Sequence, residues 1–543
     1  MRKVLFVFPI LISFIFAFSS CNNSKQSEDE TLVEEIKTES KFLPVENLNF
    51  DLSFQTKNNF DSGTFESNFQ SFSKYYSRDT TSIFCFRGNA QRNNPSRGRI
   101  SGRPVDIVEK WVYTTAYDTT TTEYGMWGGG AGWTGQPLLI NWTKEQKEKL
   151  GIENQLFIEN DDAMELIIGS LCGDVYFLDA QTGKETRDYV SIENPIKGTV
   201  SVDPRKNGLL YIGQGIKHGE RFGAYIYDMF QKQELLYING MDAFSYRGWA
   251  AFDSNPIVDR KSGTIFWPGE NGLIYKINFG ANRKKVYITK LRYKHKKLVR
   301  QGIESSMAVI DKYGFIADNC GSILCIDLQE MEVIWNVDNF DDTDATIVID
   351  QENDGNYYLY IGNEVDIRES FSLSTFRKID AKDGSEIWRV ERPGDGSPFM
   401  EKTNSGGVLA TALMGKHKGD SLVYCLFSRI DKAGRGEFVA INKYSGKEKF
   451  TVEYNIFSWS SPIDLYDDEG NIYIFSTDVA GNLYLIDGYS GELVLKKKSR
   501  FNFEASPIAF NNDIYIASRG RSVVNFELIF EAKDDLVLVA ETE

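Results

Sequence analysis

Carboxylates and tryptophans return at one kind of position along this chain. A short motif, a small residue leading through Pro or a β-branched residue into an apolar run, recurs around Pro137, Val200, Pro256, Met307, Thr346, Val408, Pro462 and Pro507. Three residues ahead of these stand Thr134, Lys197, Asp253, Glu304, Thr343, Ser405, Trp459 and Glu504. Trp133, Arg247, Trp249 and Glu270 lie close by, as do Asp318, Asp341, Asp342, Asp344, Glu364 and Asp366. If the repeats stand side by side around an axis, these side chains converge on one rim. The chemistry they offer is binding: an acidic, aromatic-lined funnel for a cation or a polar ligand. Several carboxylates at one mouth suit a hard cation such as Ca2+, which takes oxygen ligands, and Asp341 to Asp344 can supply two or three from one loop. The same groups serve equally well as acceptors for backbone N–H groups between neighbouring elements.

Other chemistries lack their residues. The chain holds 3 His, at 218, 295 and 417, too few for a multi-histidine metal centre. Neither His218 nor His417 has a Ser or Cys nucleophile in its sequence neighbourhood. Asp350 to Gly355 starts like a calcium loop, but Ile361 stands where the closing Glu belongs, so a hairpin turn is expected there. The 6 Cys do not make a disulfide scaffold. Cys320 and Cys325 flank one extended strand and are expected as buried free thiols.

The elements that must position the funnel are strands. Of 543 residues, 41% are hydrophobic, 13% aromatic and 25% charged, with 46 Gly and 13 Pro, a composition that favours sheet with many tight turns. Each repeat adds a nearly continuous apolar strand such as Leu209–Gly213, and then an alternating strand closed by an Asp-x-x-x-Gly turn, as at Asp179–Gly183, Asp380–Gly384 and Asp487–Gly491. A fourth strand follows, carrying Trp335 or Trp388. The copies average about 53 residues apart, the range of four-stranded propeller blades with insertions. This predicts an all-β, eight-bladed β-propeller of four-stranded antiparallel blades. The last repeat lacks an outer strand, and Ile107–Tyr113 is a surplus strand of that kind. The N-terminal strand around Trp111 is expected to close the ring, with Leu536–Val539 as the alternative.

The turn followed by Trp388, and Trp335 in the equivalent place, resembles the tryptophan-docking repeat of the PQQ-type (quinoprotein-type) propellers, and Phe86 to Arg92 resembles their opening motif. The likeness covers roughly residues 80–530. That group contains quinoprotein dehydrogenases and non-enzymatic lipoproteins, among them the propeller lipoprotein of the outer-membrane β-barrel assembly machinery. The enzymes typically carry two adjacent cysteines over the quinone and hold Ca2+ with a Glu, an Asn and an Asp from separate blades. Here the cysteines stand apart, at 21, 85, 172, 320, 325 and 425, and no matching trio aligns. No quinone cofactor is expected; Ca2+ is the one candidate ion.

The N-terminus reads as a leader. Arg2 and Lys3 precede the apolar run Val4–Phe18, and Phe18-Ser-Ser-Cys21 resembles a lipobox, which implies cleavage and acylation at Cys21. The expected organisation is a lipoprotein signal peptide over 1–20, a polar tether over 21–78 with a segment near Phe42–Phe54 able to pack on the body, the propeller over 79–530 and a tail over 531–543. A net charge of −16 argues against nucleic-acid partners. The reading is a lipid-anchored module of the bacterial cell envelope, at the outer membrane, that binds an envelope protein or a polar ligand without catalysis of its own. A periplasmic quinoprotein-like oxidoreductase is the first alternative. A carbohydrate-binding propeller, using Trp127, Trp133, Trp249 and Trp459, is the second.

Overall fold

Apolar strands that do not alternate must be covered on both faces, and the architecture does this by stacking sheets around an axis. The computed structural model describes residues 69–531 except 124, 134, 281–282, 296–300, 367–370 and 398–404, plus backbone strands at 48–49 and 55–58. The leader, Cys21, Leu536–Val539 and the rest of the tail beyond 531 lie outside the described residues. Eight antiparallel four-stranded blades follow one another, with innermost strands Leu138–Asn141, Ser201–Val202, Ile257–Val258, Ala308–Ile310, Val348–Gln351, Leu413–Met414, Ile463–Tyr466 and Ile508–Phe510. In blade 2, Leu209–Gly213 is buried at every residue, whereas the outer strand of blade 7, Leu493–Lys498, is buried at none.

The chain closes the ring as its surplus strand predicts. Pro104–Thr114 pairs antiparallel with Ser522–Phe530 and is the outer strand of blade 8, with Trp111 opposite Asn525. Blades 8 and 1 then meet through Trp111, whose Nε1–H donates to the Ala180 carbonyl at 3.0 Å. Its ring lies on Gly183, where a Cβ would come within 2.6 Å of it, at a φ of +70° that glycine adopts freely. Trp335 repeats the contact onto Ala381 and Gly384 (3.3 Å), and Trp388 onto Lys443 and Gly446 (2.9 Å). The Asp-x-x-x-Gly turn is therefore a docking plate for the preceding blade. Asp179 holds it, accepting from Gln181 N–H at 2.9 Å and the Thr182 hydroxyl at 2.7 Å.

A ring of hydroxyls ties the innermost strands. Gln136 N–H donates to Thr199 Oγ1, Asn255 N–H to Ser306 Oγ, Ser306 N–H to Thr346 Oγ1, Thr346 N–H to Thr411 Oγ1, Thr411 N–H to Ser461 Oγ and Ser461 N–H to Ser506 Oγ, all at 2.9–3.2 Å. Asn255 Nδ2–H joins blade 3 to blade 2 through the Thr199 carbonyl at 2.8 Å, and Ser506 N–H closes the circle on the Gly135 carbonyl at 3.2 Å. This ring corrects the phase of two repeats. Thr346 is the equivalent of Ser306, so the residue at the rim of blade 5 is Asp344, not Thr343. Blade 6 begins at Ala410-Thr411-Ala412, so its rim residue is Leu409, not Ser405. Gly406–Gly407 mimics the motif in sequence but pairs with Glu364–Val365.

The segment from Ile83 to Arg97 touches the inner end of all eight blades. Ile83 N–H donates to the Leu139 carbonyl at 2.7 Å, Phe86 N–H to Asn255 Oδ1 at 3.1 Å, and the Phe84, Ala90 and Gln91 carbonyls accept from Val202, Val309 and Ile349 at 2.8–3.0 Å. Arg87 donates to the Pro462 carbonyl at 2.7 Å and the Ala412 carbonyl at 3.0 Å, and Ser96–Arg97 runs parallel to Ala509–Phe510. The segment is a hub that floors the channel beneath the rim. Part of the stretch assigned by sequence to the tether also belongs to the body. Gln55–Asn58 is a fifth strand on blade 3, paired with Tyr287–Lys290, and Phe69, Phe72 and Tyr76 are core residues.

Candidate functional site

The rim is built from pairs. Carried on past their ends, the registers of the first two strands of each blade set Lys197 opposite Gly215, Asp253 opposite Glu270, Glu304 opposite Asn319, Asp344 opposite Glu364, Trp459 opposite Val479 and Glu504 opposite Arg519. Contacts fit these pairings: Asn319 Nδ2–H donates to Glu304 Oε1 at 2.9 Å, Asp344 N–H to Glu364 Oε1 at 3.1 Å, and Arg519 sits 3.4 Å from Glu504. Blades 3 and 5 thus carry the same Asp–Glu pair at the same position. Blades 3 to 5 form an acidic arc, bounded by Lys197 on blade 2 and by Leu409 and Trp459 on blades 6 and 7.

Two clusters result. Asp253, Glu270 and Glu304 each bring a carboxylate oxygen within 4.8 Å of the others, and Asp342, Asp344 and Glu364 do the same. In the first cluster the Lys197 ammonium donates to Asp253 Oδ2 and stands 3.9 Å from Glu304, with the Trp133 ring centroid at 6.0 Å. Trp249 Nε1–H donates to Glu270 Oε2 at 2.7 Å. Asp253 Oδ1, Glu270 Oε1 and Asn319 Oδ1 are buried with no donor, and so is Asp344 Oδ1 in the second cluster. Buried and donorless, such oxygens call for a cation, a proton or a ligand. Two donors are orphaned too, Arg247 Nη1, which lies against Gly302, and Trp459 Nε1.

Burial sets the protonation. The carboxyls of Glu270, Asp342, Asp344 and Glu364 are held well above the usual range, first by loss of solvent and then by one another's charge. Asp253 is raised by burial, with Lys197 opposing. Burial alone would lower Lys197, but Asp253, Glu304 and Glu270 outweigh it and raise it. Asp341 is buried and works on backbone, its Oδ1 accepting from Asp342 N–H at 2.7 Å. Asp318 sits off the clusters, accepting the Tyr293 hydroxyl at 2.9 Å. Trp127 is a rim residue whose ring carries Arg519 at 4.9 Å. Thr134 lies outside the described residues.

Asn319 and Arg519 escape a reading by motif, because neither stands near the repeated Pro position. Adding the second strand's register finds both. Away from the rim, His218 Nδ1 lies 3.0 Å from Asp118, and His417 Nε2 lies 3.0 Å from Arg99. Among the described residues all five cysteines are free.

The donor set of the first cluster, carboxylates and an amide, is one that suits Ca2+ by type. A metal does not fit beside Lys197 as the side chains stand, because the ammonium already bonds Asp253 and brings positive charge into the cluster from blade 2.

No protein-family profile matches the chain, and no curated protein is detectably similar in sequence. Solved structures do match in shape. The quinohaemoprotein alcohol dehydrogenase ADHIIG from Pseudomonas putida HK5 has a TM-score of 0.55 at 12% identity, over 84% of this chain and 82% of that one. BamB from Moraxella catarrhalis has a TM-score of 0.42 at 13% identity, over 67% and 93%. A europium-containing methanol dehydrogenase has 0.41 at 12%, over 83% and 99%. At 12% identity the first of these speaks to the propeller fold alone.

Proposed function

We propose that this chain is a non-catalytic binding and scaffold module of the bacterial cell envelope, lipid-anchored at Cys21 on the outer membrane, which receives a positively charged group of an envelope protein in its acidic mouth. The observation that carries this reading is the asymmetry of the channel: a floor made by Ile83 to Arg97, and above it an arc whose blade 5 portion presents Asp342, Asp344 and Glu364 with an orphaned oxygen. Carboxyls that burial and mutual repulsion hold above their ordinary range ionise when a positive charge arrives, which favours an incoming ammonium or guanidinium, or a hard cation such as Ca2+. Among the described residues no helix is long and apolar enough to cross a membrane. The acyl chains on Cys21 would then supply the anchor. Trp127, Trp133 and Trp249 already pack against Arg519, Lys197 and Phe222, which leaves less open aromatic face for a sugar.

The test is co-isolation from detergent-solubilised envelopes. The wild type is expected to bring down a protein partner in a salt-sensitive manner. The Asp342→Asn, Asp344→Asn, Glu364→Gln triple variant is expected to lose it while keeping its melting temperature. Equal recovery by the two would defeat the proposal. The oxidoreductase alternative makes its own demand. Added pyrroloquinoline quinone and Ca2+ are expected to give no alcohol- or sugar-dependent dye reduction, and turnover above a heat-killed control would favour that alternative.

A further inference from the structure

The two acidic clusters share a backbone plan, and besides Trp249 and the Arg247 guanidinium at Glu270 they differ in the rim residue that precedes them. Asp253 with Glu270 on blade 3 and Asp344 with Glu364 on blade 5 occupy the same paired positions. The rim residue one blade earlier is Lys197 for the first pair and Glu304 for the second. Lys197 reaches across the blade boundary to Asp253, whose side chain is 0% exposed, and to Glu304, while its own side chain is 18% exposed. Taking three carboxylates out of water is costly without positive charge among them. An ammonium brings three donors and one charge, on a stem long enough to come from the next blade.

We propose that Lys197 is a built-in cation, its ammonium standing in the Asp253–Glu270–Glu304 cluster where a divalent ion would otherwise sit, so that shortening this one side chain opens a latent Ca2+ site. Asp253 and Glu270 are nine-tenths buried or more, and apart from a proton the two carboxyls share, Asp253 Oδ1 and Glu270 Oε1 have no donor with Lys197 in place. Removing the ammonium frees Asp253 Oδ2 as well. At least three hard oxygens, with Glu304 beside them, then face one point, a set that suits Ca2+ and not a softer metal. The inference holds whichever partner the mouth receives.

Ca2+ itself is the probe, followed by calorimetric titration, with Tb3+ luminescence excited through tryptophan as a second reading. Wild type and the Asp253→Asn, Glu270→Gln double variant are expected to bind the same number of Ca2+ ions. Lys197→Met is expected to bind one more, in the range of about 10⁻⁵ to 10⁻³ M. Lys197→Arg, which keeps the charge, is expected to bind none extra, and adding Glu304→Gln to Lys197→Met should weaken the new site at least tenfold. If Lys197→Met does not fold, Lys197→Gln carries the same comparison. A wild type that loses one Ca2+ on the double substitution would overturn the inference, because the cluster would then already be a metal site. A folded Lys197→Met or Lys197→Gln with no added ion would overturn it too.

Discussion

At the scale of single residues, burial decides which carboxyls are ionised. Asp318 is fully enclosed, and burial pushes its carboxyl up to about 6, against the bonds it accepts from Ser322, Tyr293 and Cys320. An acid whose folded value is raised favours the folded state below its ordinary range near 3.8, and that contribution is lost as pH climbs through about 6. The wild type is therefore expected to lose stability between about pH 4 and pH 7, on the order of 3 kcal/mol from this group. Asp318→Asn keeps the acceptor for Cys320 and Ser322 and should flatten that part of the profile, measured by urea unfolding at each pH. Parallel profiles for the two proteins would show that Asp318 is not the group responsible. The residue types of the rim are legible in the sequence: Lys197, Asp253, Glu304 and Trp459 stand at the positions the repeat singles out. Asp344, already one of the candidate rim residues, shows what was not legible, namely its place in the repeat. It looked like a loop acid next to Thr343, because a β-branched residue one step early satisfies the motif, and only the hydroxyl ring from Ser306 to Thr411 fixes the phase.

Among the elements, the closing strand carries the strongest expectation. Pro104–Thr114 has a full antiparallel partner in Ser522–Phe530, so deleting Ile107–Tyr113 exposes a sheet edge and is expected to lower the melting temperature of the whole propeller. Trp111 is half-buried, and Trp111→Ala should cost about 2–3 kcal/mol, below the 3–5 typical of a fully buried aromatic. Gly183→Ala should have a similar effect, since it forces a Cβ into that ring at positive φ. If either variant melts with the wild type, the docking contact does not hold the ring together. Within the N-terminal stretch, Leu48–Asn49, inside the segment expected to pack on the body, pairs with Lys294–His295, and the strand the sequence missed lies just after it. Gln55–Asn58 is polar and too short to show a period, yet it pairs with blade 3, because an exposed sheet edge accepts any extended backbone. Deleting 22–60 is thus expected to cost measurably more stability than deleting 22–54, by differential scanning calorimetry; equal melting would put that strand's pairing in doubt. The hub was visible only as a motif. Nothing local in Phe86 to Arg92 says that its guanidiniums will be spent on main-chain carbonyls of separate blades, which is a property of the closed ring.

For the whole molecule, a net charge of −16 is not spread evenly over the rim. Blades 3 to 5 hold the acidic arc, and Glu504 on blade 8 is matched by Arg519. On the reading proposed above, such a patch would concentrate the field and steer positively charged partners. Anchoring is a separate claim at this scale: Cys21→Ser is expected to release the protein from membranes, and equal membrane recovery of variant and wild type would refute it. The central claim is that the partner enters at the acidic mouth and not at the floored end. Site-specific photocrosslinking in intact cells tests it most directly, with one photoreactive aromatic residue replacing Trp459 at the rim and another replacing Tyr489, which is exposed on a blade 7 turn at the opposite end. The account predicts a discrete crosslinked product from position 459, lost on neutralising Asp342, Asp344 and Glu364, and none from position 489. A product from position 489 alone, or one from 459 indifferent to those three charges, would contradict it.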